Sequence, residues 1–197
     1  IICNKKNKMK KLKIRLFIMT FICAISLYAQ TSIIEGIDFP DELSINDEIF
    51  VLNGGGLREK LGFLDLYVGG LYLSATSSDA NQIVMSGSSM AIRIVIASRL
   101  VSRERFIDAL EEGFKNTTVG KYTLMQVESF KKYLSDPFEI DDEIILIYSS
   151  EVESTYLYKN SEIRGEFLGL PFKQALFGIW LGDKPAQESL KKEMLGL

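Results

Sequence analysis

The sequence predicts an α+β domain in which one large antiparallel sheet is covered on one face by helices. Three features carry that expectation. From residue 30 onward, the first half of the chain reads as strand-like segments with aromatic, β-branched and alternating apolar residues. At Ser102 the apolar repeat lengthens to a helical one, and near the C-terminus two helical segments follow the last strands.

Taken in order, strands are expected at 48–52, 63–73, 82–85 and 91–97, the last with Ile92, Ile94 and Ile96 on one face and Arg93 and Val95 on the other. Ser102 is a plausible N-cap for an amphipathic helix carrying Phe106, Leu110 and Phe114 on one side. A second helix is expected over 121–134, ending at Asp136-Pro137, where the residue before proline is driven out of the α region. Segments 144–148, 154–158 and 161–167 read as strands that complete the sheet. A short apolar helix over 172–180 precedes Gly182 and Pro185, and a last helix starts from Gln187. No repeat or linker divides this stretch, so residues 30–197 are expected to form a single domain of ordinary size.

The segment before it differs in kind. From Met9, four basic residues (Lys10, Lys11, Lys13, Arg15) precede an apolar run from Leu16 to Ile25 and small residues ending at Ala29, the pattern of a secretory signal peptide. That run is shorter than the roughly 20 residues a membrane-spanning helix needs. Residues 1–29 are therefore expected to be upstream sequence and signal peptide. The mature protein is placed in the periplasm or otherwise outside the cytoplasm of a bacterium, with no stable membrane insertion. Ile22 stands where a lipid-attachment signal before Cys23 would need a small residue.

Processing changes the composition. Both cysteines lie in the leader, along with seven of the 23 basic residues and none of the 26 acidic ones, so the remaining domain carries a net charge of −10. Such a domain is a poor partner for nucleic acid or an anionic membrane surface. The chain has no histidine, which together with the missing thiols removes the usual zinc, copper and haem ligand sets, and Ser-His-Asp and Cys-His catalysis. No metal site and no cofactor are expected. Asp141, Asp142 and Glu143 lack the spacing of a calcium loop and read as a solvated strand entry. Gly54, Gly55 and Gly56 read as a turn or bulge between two strands.

Two segments carry a family resemblance: GIDFPDEL from Gly36 followed by VLNGGGLREKLGFLDLYVGGLYL over 51–73, and FGIWLGDKPAQESLKKEMLG over 177–196. Together they resemble the chalcone isomerase family in its bacterial chalcone-isomerase-like branch. The resemblance implies an open-faced β-sandwich with an apolar cleft between sheet and helices. In the family's enzymes it implies ring closure of a chalcone, assisted by an arginine after the glycine-rich turn and by hydroxyl and amide side chains. Arg58 matches that arginine. The remaining polar set does not match, because Arg105 and Glu112 stand where the enzymes have tyrosine and asparagine, and Ile179 and Tyr67 stand where they have threonines. The fatty-acid-binding, non-catalytic branch is similar in pairing a tyrosine with the arginine.

The chemistry of the pair supports the same reading. A guanidinium offers a planar fork for a carboxylate, and a phenol can add a third bond. Arg58 and Tyr67 are thus the expected ligand-binding residues for a small apolar carboxylate, a fatty acid by the resemblance, with no catalytic residue assigned. Trp180 and Tyr72 read as core residues. Two alternatives stay open: an intramolecular lyase or isomerase in which Arg58 stabilises an enolate, and a non-binding envelope scaffold whose cleft is filled by its own side chains.

Overall fold

The computed structural model describes residues 30–45, 48–60 and 64–197, with the backbone alone at 60, 64 and 65. Residues 1–29, expected to be upstream sequence and signal peptide, lie outside the described residues. The chain runs β1 (Thr31–Ile34), β2 (Ile37–Pro40), β3 (Glu42–Ile45), β4 (Glu48–Lys60), β5 (Leu64–Leu73), α1 (Ala80–Met85), β6 (Met90–Ile96), α2 (Arg103–Asn116), α3 (Leu124–Tyr133), β7 (Glu143–Ser149), β8 (Ser154–Lys159), β9 (Glu162–Leu168), α4 (Leu170–Leu181) and α5 (Glu188–Met194). Strands β3 to β9 pair in sequence order as one seven-stranded antiparallel sheet, while β1 and β2 form a separate hairpin.

Period-two alternation sorts the long strands onto two faces, and each face has its own core. Leu71, Ile92, Ile94, Ile144, Leu146 and Leu157 face the helices and pack against Phe106, Phe114, Phe172 and Phe177. Val68, Tyr72, Ala91, Val95 and Ile147 face the other way, under Phe39 of the hairpin. The mixed face expected around Arg93 is this second, smaller core. Its guanidinium stacks over the Phe39 ring at 4.5 Å and pairs with Glu143. Tyr72 is fully buried there, and its hydroxyl donates to Pro40 O at 2.9 Å.

Helix starts follow their capping chemistry. Ser102 Oγ accepts from Arg105 N to begin α2, and Thr123 and Gln126 form a reciprocal capping box at α3. One expected element is corrected: 82–85 is not a strand but part of α1. Asp79 accepts from Gln82 N and closes the first turn, while Ile83 and Val84 enter the core; a run of four residues is too short for periodicity to separate helix from strand.

The far end of α1 is capped from outside. Lys173 in α4 is fully buried, and its Nζ donates to Ile83 O, Val84 O and Ser86 O at 2.8, 2.9 and 2.9 Å. A cation suits these carbonyls because they form the negative end of the helix. Burial pushes the ammonium down to about 8 from its ordinary 10.5. Between those values the unfolded chain holds the proton and the folded one releases it, so stability rises with pH in that window. Wild type should therefore gain about 1–2 kcal/mol relative to Lys173→Met between pH 7.5 and 9.5, read from paired urea titrations; an unchanged difference would refute it.

The acidic run at the entry to β7 is engaged internally. Asp142 pairs with Lys159 at 3.1 Å and accepts from Asn160 Nδ2 and Glu139 N, and Glu143 is the partner of Arg93.

Gly54, Gly55 and Gly56 are also corrected in place. They lie inside β4, which is far longer than 48–52, and a bulge interrupts the register between Leu52 and Gly54. Their reason is close approach by other parts of the chain. A Cβ on Gly54 would lie 2.2 Å from Glu193 O, one on Gly56 would overlap the Glu193 carboxylate, and one on Gly69 of β5 would meet Met194 Cε at 2.7 Å. This bare patch lets α5 lie directly on the strand backbone, where Asn53 of the bulge donates to Met194 O at 2.8 Å. On the opposite face, Gly55 and Gly70 make room for Ile34 and Phe39. Gly54→Ala should displace α5 and cost roughly 1–3 kcal/mol in chemical denaturation, the range for overpacking a tight contact, whereas Gly87→Ala, which meets nothing, should be close to neutral.

Candidate functional site

Strand pairing brings the two expected site residues together, since Arg58 in β4 lies directly across from Tyr67 in β5. Both open onto a cleft of about 170 Å³ bounded by α2, α4 and the turn at 184–186. Helical spacing aims the α2 wall, because Arg105, Phe106, Ala109, Glu112, Gly113 and Asn116 recur every three or four residues on one face. Gly113 lets that face approach α4 closely, for a Cβ there would sit 2.5 Å from Ile179 Cγ2. Arg105, Glu112 and Ile179, the positions where the sequence departs from the ring-closing enzymes, all line this same cleft.

Arg58 is held from below. Its Nη1 donates to Glu59 O at 2.6 Å and to Gln187 Oε1 at 2.9 Å. Gln187 is bonded on both sides of its amide, accepting also from Glu59 N at 2.9 Å and donating to Leu57 O at 3.0 Å and Ser189 Oγ at 2.6 Å. It is the N-cap position of α5, so the helix seated on the glycine patch is also what fixes the arginine. Among the described residues, the guanidinium pairs with no carboxylate, Glu59 included.

Tyr67 is 7% exposed, with the Phe106 ring edge-on to its own at 6.1 Å. Burial pushes its phenol up, against the opposing pull of the Trp180 hydrogen bond and the Arg58 charge, so the hydroxyl stays protonated at neutral pH. Trp180 Nε1 donates to that hydroxyl at 2.9 Å. The expectation that Trp180 is a core residue holds for its burial and is incomplete for its role, because the indole also forms part of the cleft wall. Gln187 and Trp180 are the site residues that sequence reasoning did not identify. Neither carries a motif of its own; the only signal was their place in the 177–196 segment that bore the family resemblance.

The model of the chalcone isomerase-like family matches residues 31–196, and the chain belongs to that family. No match was found among curated protein sequences. Among solved structures the chain is similar to an Arabidopsis thaliana fatty-acid binding protein, with a TM-score of 0.67 and 18% identity over 84% of this chain and 96% of that one. At that identity the likeness establishes the shared fold, a large curled antiparallel sheet with helices against it.

Because Gln187 grips Arg58 without facing the cleft's apolar walls, Gln187→Ala should weaken binding of an anionic ligand several-fold while shifting stability by about 1 kcal/mol, measured by calorimetry beside thermal melts. Equal binding by the variant and wild type would show that the arginine needs no support.

Proposed function

We propose that residues 30–197 form an exported binding protein for a small apolar carboxylate of the fatty-acid class, held in the cleft with Arg58 and Tyr67 at its head group. The observation that carries this reading is the convergence of an apolar-walled cleft on a guanidinium and a protonated phenol from neighbouring strands. A carboxylate bound there satisfies the guanidinium fork, and its own apolar chain leaves water to lie against Leu66, Val101, Leu110 and Ile179. The fatty-acid binding protein of the same fold supports the ligand class. The leader at 1–29 supports export, and none of the helices among the described residues is long and apolar enough to cross a membrane.

The cleft's volume bounds the ligand. A cavity of about 150 Å³ accepts benzene, so 170 Å³ takes roughly six to eight carbon atoms before the walls must open. Affinity along a straight-chain acid series should rise about fourfold per methylene, the equivalent of about 0.8 kcal/mol, and level off near eight carbons. A continued rise to sixteen carbons would show that the cleft opens on binding.

The first test is mass spectrometry of solvent extracts from residues 30–197 purified without detergent, beside Arg58→Ala. A stoichiometric acyl carboxylate that the variant loses supports the reading. Absence of any acid from wild type, together with no octanoate binding by calorimetry, overturns it and favours a scaffold.

A further inference from the structure

The hydrogen-bond arithmetic of the head-group pocket goes beyond the pairing of an arginine with a tyrosine. Indole Nε1 is a donor only, so the 2.9 Å contact assigns its direction: Trp180 gives and Tyr67 receives. A phenol that receives this bond has its own hydrogen left to place, and no acceptor for it is found among the described residues. Arg58 has donors and no acceptor. Gln187 Oε1, the amide oxygen that holds Arg58, already receives Arg58 Nη1 and Glu59 N. Glu112 is the one carboxylate among the described lining residues, and it lies six residues, about 9 Å along α2, from Phe106, whose ring packs on Tyr67.

From this we infer that Trp180 is a positioning residue that sets the polarity of the pocket: by occupying an acceptor site of the Tyr67 hydroxyl, it turns that hydroxyl's proton toward the ligand. Among the described residues, the head-group end then offers donors alone. A group that only accepts, such as a carboxylate, satisfies every donor without introducing one of its own. A primary alcohol of the same chain length brings a hydrogen for which the described residues place no acceptor beside Arg58 and Tyr67, and leaves the guanidinium less well paired. Trp180 acts here through Tyr67 and not by touching the carboxylate. The inference rests on the carboxylate-binding reading above and adds the residue that makes the cleft discriminate acids from alcohols.

The test is a double-mutant cycle by calorimetry on residues 30–197, with octanoate and 1-octanol as probes and wild type, Trp180→Phe, Tyr67→Phe and the double variant as proteins. Trp180→Phe should weaken octanoate about three- to tenfold, the equivalent of one hydrogen bond, and change octanol less than twofold. In the Tyr67→Phe background the same substitution should have no further effect on octanoate. Equal losses for both probes, or additive losses in the cycle, would reduce Trp180 to packing and overturn the inference while leaving the carboxylate reading standing. Tyr67→Phe supplies an independent arm should Trp180→Phe fold poorly: its octanoate-to-octanol preference should fall, and an unchanged preference also overturns the inference. Wild type that binds neither probe refutes both readings together.

Discussion

Much of this molecule depends on one close contact, that of helix α5 with the bare backbone of β4 and β5. Side-chain atoms on Gly54, Gly56 and Gly69 would occupy the space that Glu193 and Met194 fill. Because those atoms are missing, the C-terminal helix sits against the sheet at backbone distance, and Leu190 and Met194 enter the main core. The same seating delivers Gln187 to Arg58. The strand that carries the arginine is thus also the strand that receives the helix holding it.

The cleft's electrostatics differ from those of the domain around it. Residues 30–197 carry a net charge of −10, yet Arg58, Arg105 and Lys184 line the cleft against a single described carboxylate, Glu112. At physiological ionic strength the screening length is about 8 Å, so an anion approaching from outside meets the negative surface first and the cations only on entry. Any attraction of an anion in this arrangement is local, without long-range steering.

The sheet and the larger helices were legible because their patterns are long. The Ile92-Ile94-Ile96 alternation, the Phe106-Leu110-Phe114 repeat with its Ser102 cap, and the Asp136-Pro137 stop each report a local rule that the tertiary structure keeps. The failures were short or non-local. Segment 82–85 carries too few residues to show a period, and its helix is completed by Lys173, about 90 residues away. No element was expected over 31–45, where three strands of four residues each alternate weakly and are stabilised by a second core that sequence alone does not announce. The glycine run was recognised as a backbone feature and read as a turn or bulge between two strands; a bulge does adjoin it, but the run lies inside one long strand, and what it accommodates arrives from the other end of the chain. Arg58 and Tyr67 were singled out as candidates through the resemblance and their chemistry, and the structure pairs them across neighbouring strands. Gln187 and Trp180 became site residues only when hydrogen bonds across more than a hundred residues were visible.

Trp180 is also the only tryptophan in the chain, and its indole borders the cleft. The protein thus carries one dominant fluorophore, placed where a bound molecule would lie. Replacement of cleft water by hydrocarbon changes the polarity around that ring, and any change in the Trp180–Tyr67 bond alters the indole directly. The emission spectrum of the unlabelled protein is therefore a report on a single location, and occupancy of the cleft can be followed by light without attaching a dye.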